Sequence, residues 1–478
     1  MSIAKNYLYN LILTISDILV PFITIPYITR VLNPDGIGAV SFTNSVIEYF
    51  TMFSILGLNL YGPREIASSR NNPEKIRTTF WNIQYAKVFT VITSYTTFLI
   101  FFFFFSNEKY HSLYIIQSFI ILNNLFDITF LFSGLEDFQK ITIRGLLVKI
   151  VGASLIFLLI KKPSDYILYA LINVLSTLFG TSIMWFYLPK NLKITNFSFE
   201  EIKNHLFGSL KLFIPILAIQ IYTVLDKTMV GVLSTEAEVS FYTMSQRLVK
   251  IILALITSLG PVMMSRISNL VSTDQHEKVE GYISVIFDFV TYASILAIIL
   301  TVFTMNDFVP FFFGSKFLKV KDLIIYITPI ILFISWSNLF GIQLMVPMKK
   351  ENYLTISVII GAVTNFTLNL ILIPKYQSLG AVIGTVIAEF TVTLVLIILV
   401  RKLINLKPLF NEVWKHLLAG LATFSLLFFF TKINISPFIN IILKISIGIS
   451  SYILIEYILK STTNKMIIQK ILGFLKRT

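Results

Sequence analysis

Long apolar runs, such as residues 91–105 and 441–459, recur along this chain with only short polar stretches between them. A backbone inside lipid must satisfy every N–H and C=O internally, which leaves helices or a closed barrel. These runs are long enough for membrane-crossing helices, and strand-length segments of alternating polarity are absent. Apolar residues make up 55% of the 478 and charged residues only 13%, with a mean hydropathy of +0.79. So few charges cannot cover the surface of a water-soluble protein of this size. The expected fold is therefore an all-α integral membrane protein.

Fourteen candidate spans are expected, at about 7–28, 37–60, 81–105, 112–133, 145–160, 166–188, 209–232, 239–262, 283–305, 323–345, 354–373, 380–400, 416–430 and 438–459. The fifth and thirteenth are the shortest. Met1 to Asn6 lead straight into the first span with no small-residue cleavage site, so that span is expected to stay. An even number of spans puts both termini on one side. Segments on that side carry twenty-five Lys and Arg, against nine on the other, or ten with Lys227. The excess places both termini in the cytoplasm. A formal charge of +14 suits an anionic membrane surface and an anionic substrate. The basic residues lie in short loops rather than on one patch, which argues against nucleic acid. The absence of cysteine excludes disulfides and thiolate-held metals.

The longest internal loop, about 189–208, holds Ser198-Phe199-Glu200-Glu201. This reads as a capping box, with Ser198 at the N-cap and Glu201 at N3. Phe199, Ile202 and Leu206 then share one face, as expected of a short helix on the inner membrane surface. The tail repeats the spacing with Ile467, Ile471 and Leu475. The chain also repeats itself at larger scale. Val31-Leu32, a short turn with an acid, and Val40-Ser41-Phe42 match Val232-Leu233, a turn with Glu236, and Val239-Ser240-Phe241. The copies lie six spans apart and both helices run on to Gly-Pro, at Gly62-Pro63 and Gly260-Pro261. Two six-helix bundles of the same orientation follow, a transporter-style parallel repeat. The expected organisation is a first bundle over 1–188, an amphipathic linker over 189–208, a second bundle over 209–402, and two extra spans with a tail over 403–478.

Polar side chains fall in stripes within the spans. Asn10, Thr14, Asp17, Pro21 and Thr24 form one in span 1, and Pro21 and Pro26 are expected to bend it. Asn44, Glu48 and Thr51 share a face in span 2, and Lys87, Thr90, Ser94 and Thr97 in span 3. Asn123, Asn124 and Asp127 mark span 4; Pro215, Gln220, Thr223, Asp226 and Lys227 mark span 7. Asp288, Asn365 with Asn369, Thr385 with Glu389, and Lys444 follow. Most Ser, Thr and Asn in a bundle bond across helices. Ionisable groups at mid-depth are costly and need partners or a hydrated cavity. The repeat pairs Glu48 with Arg247, about eight residues or ~12 Å into its span. Lys250 lies three residues on, with Tyr242, Thr243 and Gln246 nearby. Glu48 and Arg247 could form a structural ion pair, or one that breaks when substrate arrives. Together the stripes favour a hydrated cavity, with Asp17, Glu48, Lys87, Arg247 and Lys250 as its charged members. Arginine suits bidentate contact with an anion such as phosphate. Tyr27, Tyr49, Tyr222 and Tyr242 are candidates for stacking on sugar rings.

Residues Pro26-Tyr27-Ile28-Thr29-Arg30-Val31-Leu32, Asp35-Gly36-Ile37-Gly38, Gly57-Leu58 and Arg64-Glu65-Ile66-Ala67 resemble the N-terminal signature of the Wzx-type polysaccharide repeat-unit flippases. These belong to the multidrug/oligosaccharidyl-lipid/polysaccharide exporter superfamily. Asp226-Lys227, Gly231 and Tyr242 are similar to that family's span 7–8 region. The resemblance implies a flippase carrying an undecaprenyl-diphosphate-linked oligosaccharide across the cytoplasmic membrane. It implies two bundles rocking about a central cavity, with spans 13–14 forming a groove for the polyprenyl tail. It also implies contacts with the diphosphate or an acidic sugar for Arg247 and Lys250 and, less directly, for Arg30 at the outer end of span 1. Lys444 in span 14 finds no place in that scheme. Asn33-Pro34 stands where the family frequently has Gly-Pro, a change the turn tolerates.

No Gly-rich phosphate loop is present, so no nucleotide, cofactor or catalytic set is expected. Drive would come from product consumption outside or from H⁺ or Na⁺ coupling, with Asp17 and Glu48 as the coupling carboxylates. Expected partners are membrane lipids, the lipid-linked oligosaccharide, and a polysaccharide polymerase and chain-length regulator. A lipid II flippase shares the same mechanism with a different sugar. A multidrug antiporter needs an acidic cavity, against which Arg247 and Lys250 argue. A membrane polymerase or glycosyltransferase needs a long extramembrane loop that this chain lacks.

Overall fold

In the computed structural model, residues 3–195, 197–258, 260–429, 436–466 and 469 are described. They are overwhelmingly helical, and no strand occurs among them. The chain forms two compact units, Met1–Ser240 and Phe241–Thr478. The first contains α1 (Ile3–Val31), α2 (Pro34–Ile55), α3 (Leu58–Ser68), α4 (Pro73–Phe105), α5 (His111–Phe126), α6 (Thr129–Gly134), α7 (Phe138–Leu159), α8 (Tyr166–Ile183) and α9 (Phe199–Leu233). The helix α10 (Glu236–Thr257) carries the chain into the second unit. There follow α11 (Gly260–Ser272), α12 (His276–Phe313), α13 (Lys319–Ile327), α14 (Ile330–Ser337), a wider π-helical stretch Asn338–Met345, α15 (Glu351–Tyr376), α16 (Ser378–Val400), α17 (Lys407–Phe410), α18 (Val413–Phe429) and α19 (Pro437–Ile458).

Each of the fourteen expected spans coincides with one helix or a short series of helices. Among the described residues, ten helices are long and apolar enough to cross a membrane alone. The bent pair Lys319–Ile327 and Ile330–Met345 makes an eleventh. The remaining three expected spans are α2, α5 and α9. At 16 residues α5 is short, and α6 continues it beyond a break at Asp127 and Ile128.

Local chemistry sets the helix ends. The Asn72 side chain accepts from the amides of Glu74 and Lys75, both at 3.1 Å, and opens α4. Ser198 caps α9 by accepting from the Glu201 amide at 3.4 Å. Only half of the capping box forms, because the Glu201 carboxylate turns instead to the Asn82 amide on α4. Nor does the helix stop at 208. It runs on through Leu233, so the expected surface helix is the first turns of a 35-residue helix. Ile202 and Leu206 bury against Leu58, Ile66 and Phe80, while Phe199 stays exposed. Half-buried His205 of that segment meets the Tyr61 hydroxyl at 3.0 Å, and burial holds its imidazole below the ordinary range. The expected tail helix of Ile467, Ile471 and Leu475 lies outside the described residues, as do the side chains of Asn10, Pro215, Tyr222 and Pro261.

In the first unit, α2 is central. It packs against α4, α5, α8 and α9, while α1 lies against α7 and α3 against α6. Span 2 is not one helix: Leu56 and Gly57 adopt positive φ of 45° and 75° and divide α2 from α3. A Cβ on Gly57 would come within 2.8 Å of the Ser209 carbonyl oxygen, so conformation and space both require glycine. In the second unit, α12 is the hub, contacting α13, α14, α18 and α19, and α15 pairs with α16.

The two related turns meet within the first unit. Pro34 already stands in α2, so the first reversal needs only Leu32 and Asn33. Gly38 lies so close to the second turn that a Cβ there would sit 1.6 Å from the Glu236 carbonyl oxygen. Reciprocally, a Cβ on Gly231 would sit 2.0 Å from the Phe42 ring. Ser45 and Thr228 hydroxyls bond between them at 2.9 Å. Glu236 also accepts from Tyr110 at 2.6 Å and pairs with Lys109. Gly38→Ala is therefore expected to destabilise the fold by about 1–3 kcal/mol through overpacking. Gly281→Ala in α12, where a Cβ meets nothing within 4 Å, is expected to stabilise by up to about 1 kcal/mol. Thermal unfolding of the two purified variants in detergent measures the contrast.

Candidate functional site

The charged residues singled out by sequence lie in both units and differ in burial. Asp17 on α1 is paired: Lys149 of α7 reaches its carboxylate at 2.6 Å. The same ammonium donates to Ser16 at 2.7 Å and to the Leu13 carbonyl at 3.2 Å. Asp17 itself remains exposed. Glu48, half-buried on α2, accepts from its own helix neighbour Asn44 at 2.7 Å. It opens on a small cavity of about 160 Å³, shared with Thr51, Asn59 and Gln220. Asn59 and Gln220 bring polar groups from α3 and α9 to the same space.

Lys87 is 6% exposed. Its ammonium donates to the Asp127 backbone carbonyl and lies 5.2 Å from the Phe130 ring centroid. The Asp127 carboxylate accepts from the Thr129 amide at 2.9 Å, which holds it at the break between α5 and α6. Lys87, Asn124 and Asp127 line a second cavity of about 170 Å³ in this unit. Arg30, at the end of α1, is exposed and donates back to the Pro26 carbonyl at 2.9 Å.

In the second unit, α10 separates two sets that the sequence grouped together. Arg247 and Lys250 occupy its exposed face. Tyr242 and Gln246 are buried instead, with Gln246 donating to the Tyr242 hydroxyl. That hydroxyl meets Thr385 of α16 at 2.9 Å. Asn369 donates to Asn365 at 3.1 Å within α15. Tyr242 thus bonds across helices rather than presenting its ring.

Two buried clusters escaped the sequence reading. Lys444 of α19, 3% exposed, pairs with Asp307 of α12 at 2.6 Å, and Asn440 donates to the same oxygen at 3.0 Å. This accounts for a lysine that the sequence left without a role. His416 of α18 is wholly buried between Asp288 of α12 and Glu456 of α19, at 2.7 Å from each. The available signal was the coincidence of isolated ionisable residues in three spans, which gives cost but no pairing.

Comparison with known proteins places this geometry in context. Residues 3–271 match the family described as polysaccharide biosynthesis protein. A protein of Escherichia coli (strain K12) named "Putative O-antigen transporter" is 23% identical over 84% of this chain and 97% of its own length. One of the same name from Shigella dysenteriae is 23% identical over 82% and 98%. Among solved structures, the lipid II flippase MurJ in an inward closed conformation is similar with a TM-score of 0.75 and 16% identity, covering 95% of this chain and 98% of that one. An inward-facing multidrug resistance MATE transporter is similar with a TM-score of 0.64 and 14% identity, covering 89% and 96%. At such identities the structural likenesses speak for the fold.

The Lys444–Asp307 pair yields a stability test. Lys444→Met leaves the half-buried Asp307 carboxylate with Asn440 alone and is expected to cost about 1–3 kcal/mol. Adding Asp307→Leu is expected to recover most of that loss. Unfolding midpoints of the single and double variants in one detergent decide it.

Proposed function

Since the chain belongs to the polysaccharide biosynthesis protein family, as a Wzx-type flippase of the multidrug/oligosaccharidyl-lipid/polysaccharide exporter superfamily, we propose that it carries undecaprenyl-diphosphate-linked oligosaccharide repeat units across the bacterial cytoplasmic membrane. The family match over residues 3–271 carries this reading. The two relatives named as O-antigen transporters, aligned over more than four fifths of the chain, point the same way. The fold shared with a lipid II flippase and a multidrug transporter suits alternating access and does not choose among cargoes.

In this reading Arg247 and Lys250, exposed on α10, meet the diphosphate. A charge-assisted hydrogen bond to such an anion contributes about 1.5–3 kcal/mol. Arg30, at the outer end of α1, guides the anion after it has crossed. Lys87 acts indirectly, by fixing the break at Asp127. Glu48, with one polar cavity at its side, and Asp17, held by Lys149, are the carboxylates available for H⁺ or Na⁺ coupling. The two six-helix halves over 1–188 and 209–402 rock about the site, with 189–208 as linker and 403–478 as an added pair of spans and tail. Both termini face the cytoplasm, and the polymerase and chain-length regulator receive the product outside.

Arg247→Ala and Lys250→Ala are each expected to reduce export of the lipid-linked repeat at least about tenfold, the equivalent of a lost ionic contact. Insertion and thermal stability are expected to stay unchanged. Normal surface polymer in both variants would overturn the assignment. The chain has no cysteine, so single-cysteine reporters test topology directly. A cysteine at Glu108 is expected to react with an impermeant thiol reagent in intact cells, and one at Lys75 only after permeabilisation.

A further inference from the structure

The cluster around His416 contains a proton that its geometry requires. The imidazole Nδ1 lies 2.7 Å from Glu456 Oε1, and Nε2 lies 2.7 Å from Asp288 Oδ1. A neutral imidazole has one N–H and one lone pair, so it can donate to only one of the two carboxylates. The second contact needs one more proton. That proton sits either on the ring, giving imidazolium, or on a carboxyl that then donates to the bare nitrogen. Without it, a nitrogen lone pair faces a carboxylate lone pair at hydrogen-bond distance. Two uncompensated carboxylates would then lie in a site with almost no water, a costly state.

Among the described residues, no lysine or arginine forms an ion pair with Asp288 or Glu456. Tyr292 of α12 meets the His416 ring edge-on at 5.7 Å, and the Tyr452 hydroxyl of α19 donates to the Tyr292 carbonyl at 3.2 Å. Lys415, the adjacent residue on α18, is turned to Glu412 at 2.7 Å and to the Lys460 carbonyl. Asp288's second oxygen accepts from the Thr463 hydroxyl. Glu456's second oxygen is buried with no hydrogen-bond partner among the described residues.

A route to the cluster exists in the same unit. Thr463 lies on the wall of a cavity of about 230 Å³ that also exposes Thr257, Ser335 and Gln343. The Ser335 hydroxyl and the Gln343 carbonyl oxygen are buried without partners among the described residues. A cavity of this size with three or four polar groups on its wall is suited to water. Thr463, whose hydroxyl donates to Asp288, is the residue between this cavity and the cluster.

We propose that Asp288, His416 and Glu456 form an exchangeable-proton site, loaded through the Thr463 cavity, whose occupancy locks α18 and α19 to α12. The proton is the ligand. When bound, it lets one ring join three helices. Its loss as pH rises breaks one of the two 2.7 Å contacts, so α18 loses its polar bond to α12 or to α19. This assignment involves no assumption about cargo and stands apart from the transport reading.

The test uses the full-length protein in lipid nanodiscs. In ¹⁵N-histidine spectra, His416 is identified by its absence in His416→Gln. At neutral pH it is expected either to show two protonated ring nitrogens or to be accompanied by a carboxylic acid C=O band in the infrared. A singly protonated ring with no such band overturns the proposal. Spin labels on cysteines at Val285 of α12 and Leu421 of α18 then report the spacing. It is expected to widen as the proton leaves at high pH. Glu456→Gln places an amide N–H opposite Nδ1 and removes the need for the proton. Its spacing is expected to stay short across the same range. A spacing that never changes in the parent protein, or one that widens equally in Glu456→Gln, refutes the lock.

Discussion

A charge within a bilayer has no water to solvate it, so the protein itself must supply what meets it. The rest of this fold follows from that constraint. Lys149 finds Asp17, Lys87 finds the Asp127 turn, Lys444 finds Asp307, and His416 finds two carboxylates. Each contact joins different helices: α7 to α1, α4 to the α5–α6 break, α19 to α12, and α18 to both α12 and α19. Apolar helix faces are nearly interchangeable in lipid, since tails and leucines offer similar surroundings. Stranding one member of an ionic pair, in contrast, costs several kcal/mol. These few polar contacts therefore select which helix lies beside which.

The same constraint separates two kinds of charge. Lys87, Lys444 and His416 are spent on internal bonds. Arg247 and Lys250 are exposed on a helix whose buried Tyr242 and Gln246 are fixed by hydrogen bonds. Anchoring one face of α10 with neutral hydrogen bonds leaves its cationic face in a defined direction. A defined direction is what recognition of a diphosphate would require.

Much of this was legible in the sequence, and the reason is local physics. Hydropathy marks spans, so all fourteen expected positions carry helices. The Ser198 cap is written in adjacent residues, as is the turn after Val31-Leu32, although its acid Asp35 already stands in α2. The family signature over residues 20–75 likewise rests on a contiguous stretch. What failed to show is pairing over distance. Glu201 completes a capping box on paper, yet its carboxylate has a better partner in Asn82, 119 positions away. Lys444 seemed inexplicable because Asp307 lies 137 residues earlier. His416 drew no attention because a lone histidine in an apolar helix gives depth without neighbours. Sequence periodicity fixes which face a residue occupies, but only tertiary packing decides what that face meets.

The meeting of Gly38 with the Glu236 backbone, and of Gly231 with the Phe42 ring, has a mechanical consequence. A junction built from long side chains can stretch, because rotamers follow a retreating partner. One built on bare backbone has nothing to extend across a gap. Once its surfaces part by a water diameter, solvent enters and the contact is lost outright, with no intermediate grip. At Gly38 the two related turns meet without such reach, while the Ser45–Thr228, Tyr110–Glu236 and Lys109–Glu236 bonds around it can follow a small displacement. The close contact at Gly38 is thus lost at a small separation, before the longer side chains around it have to let go.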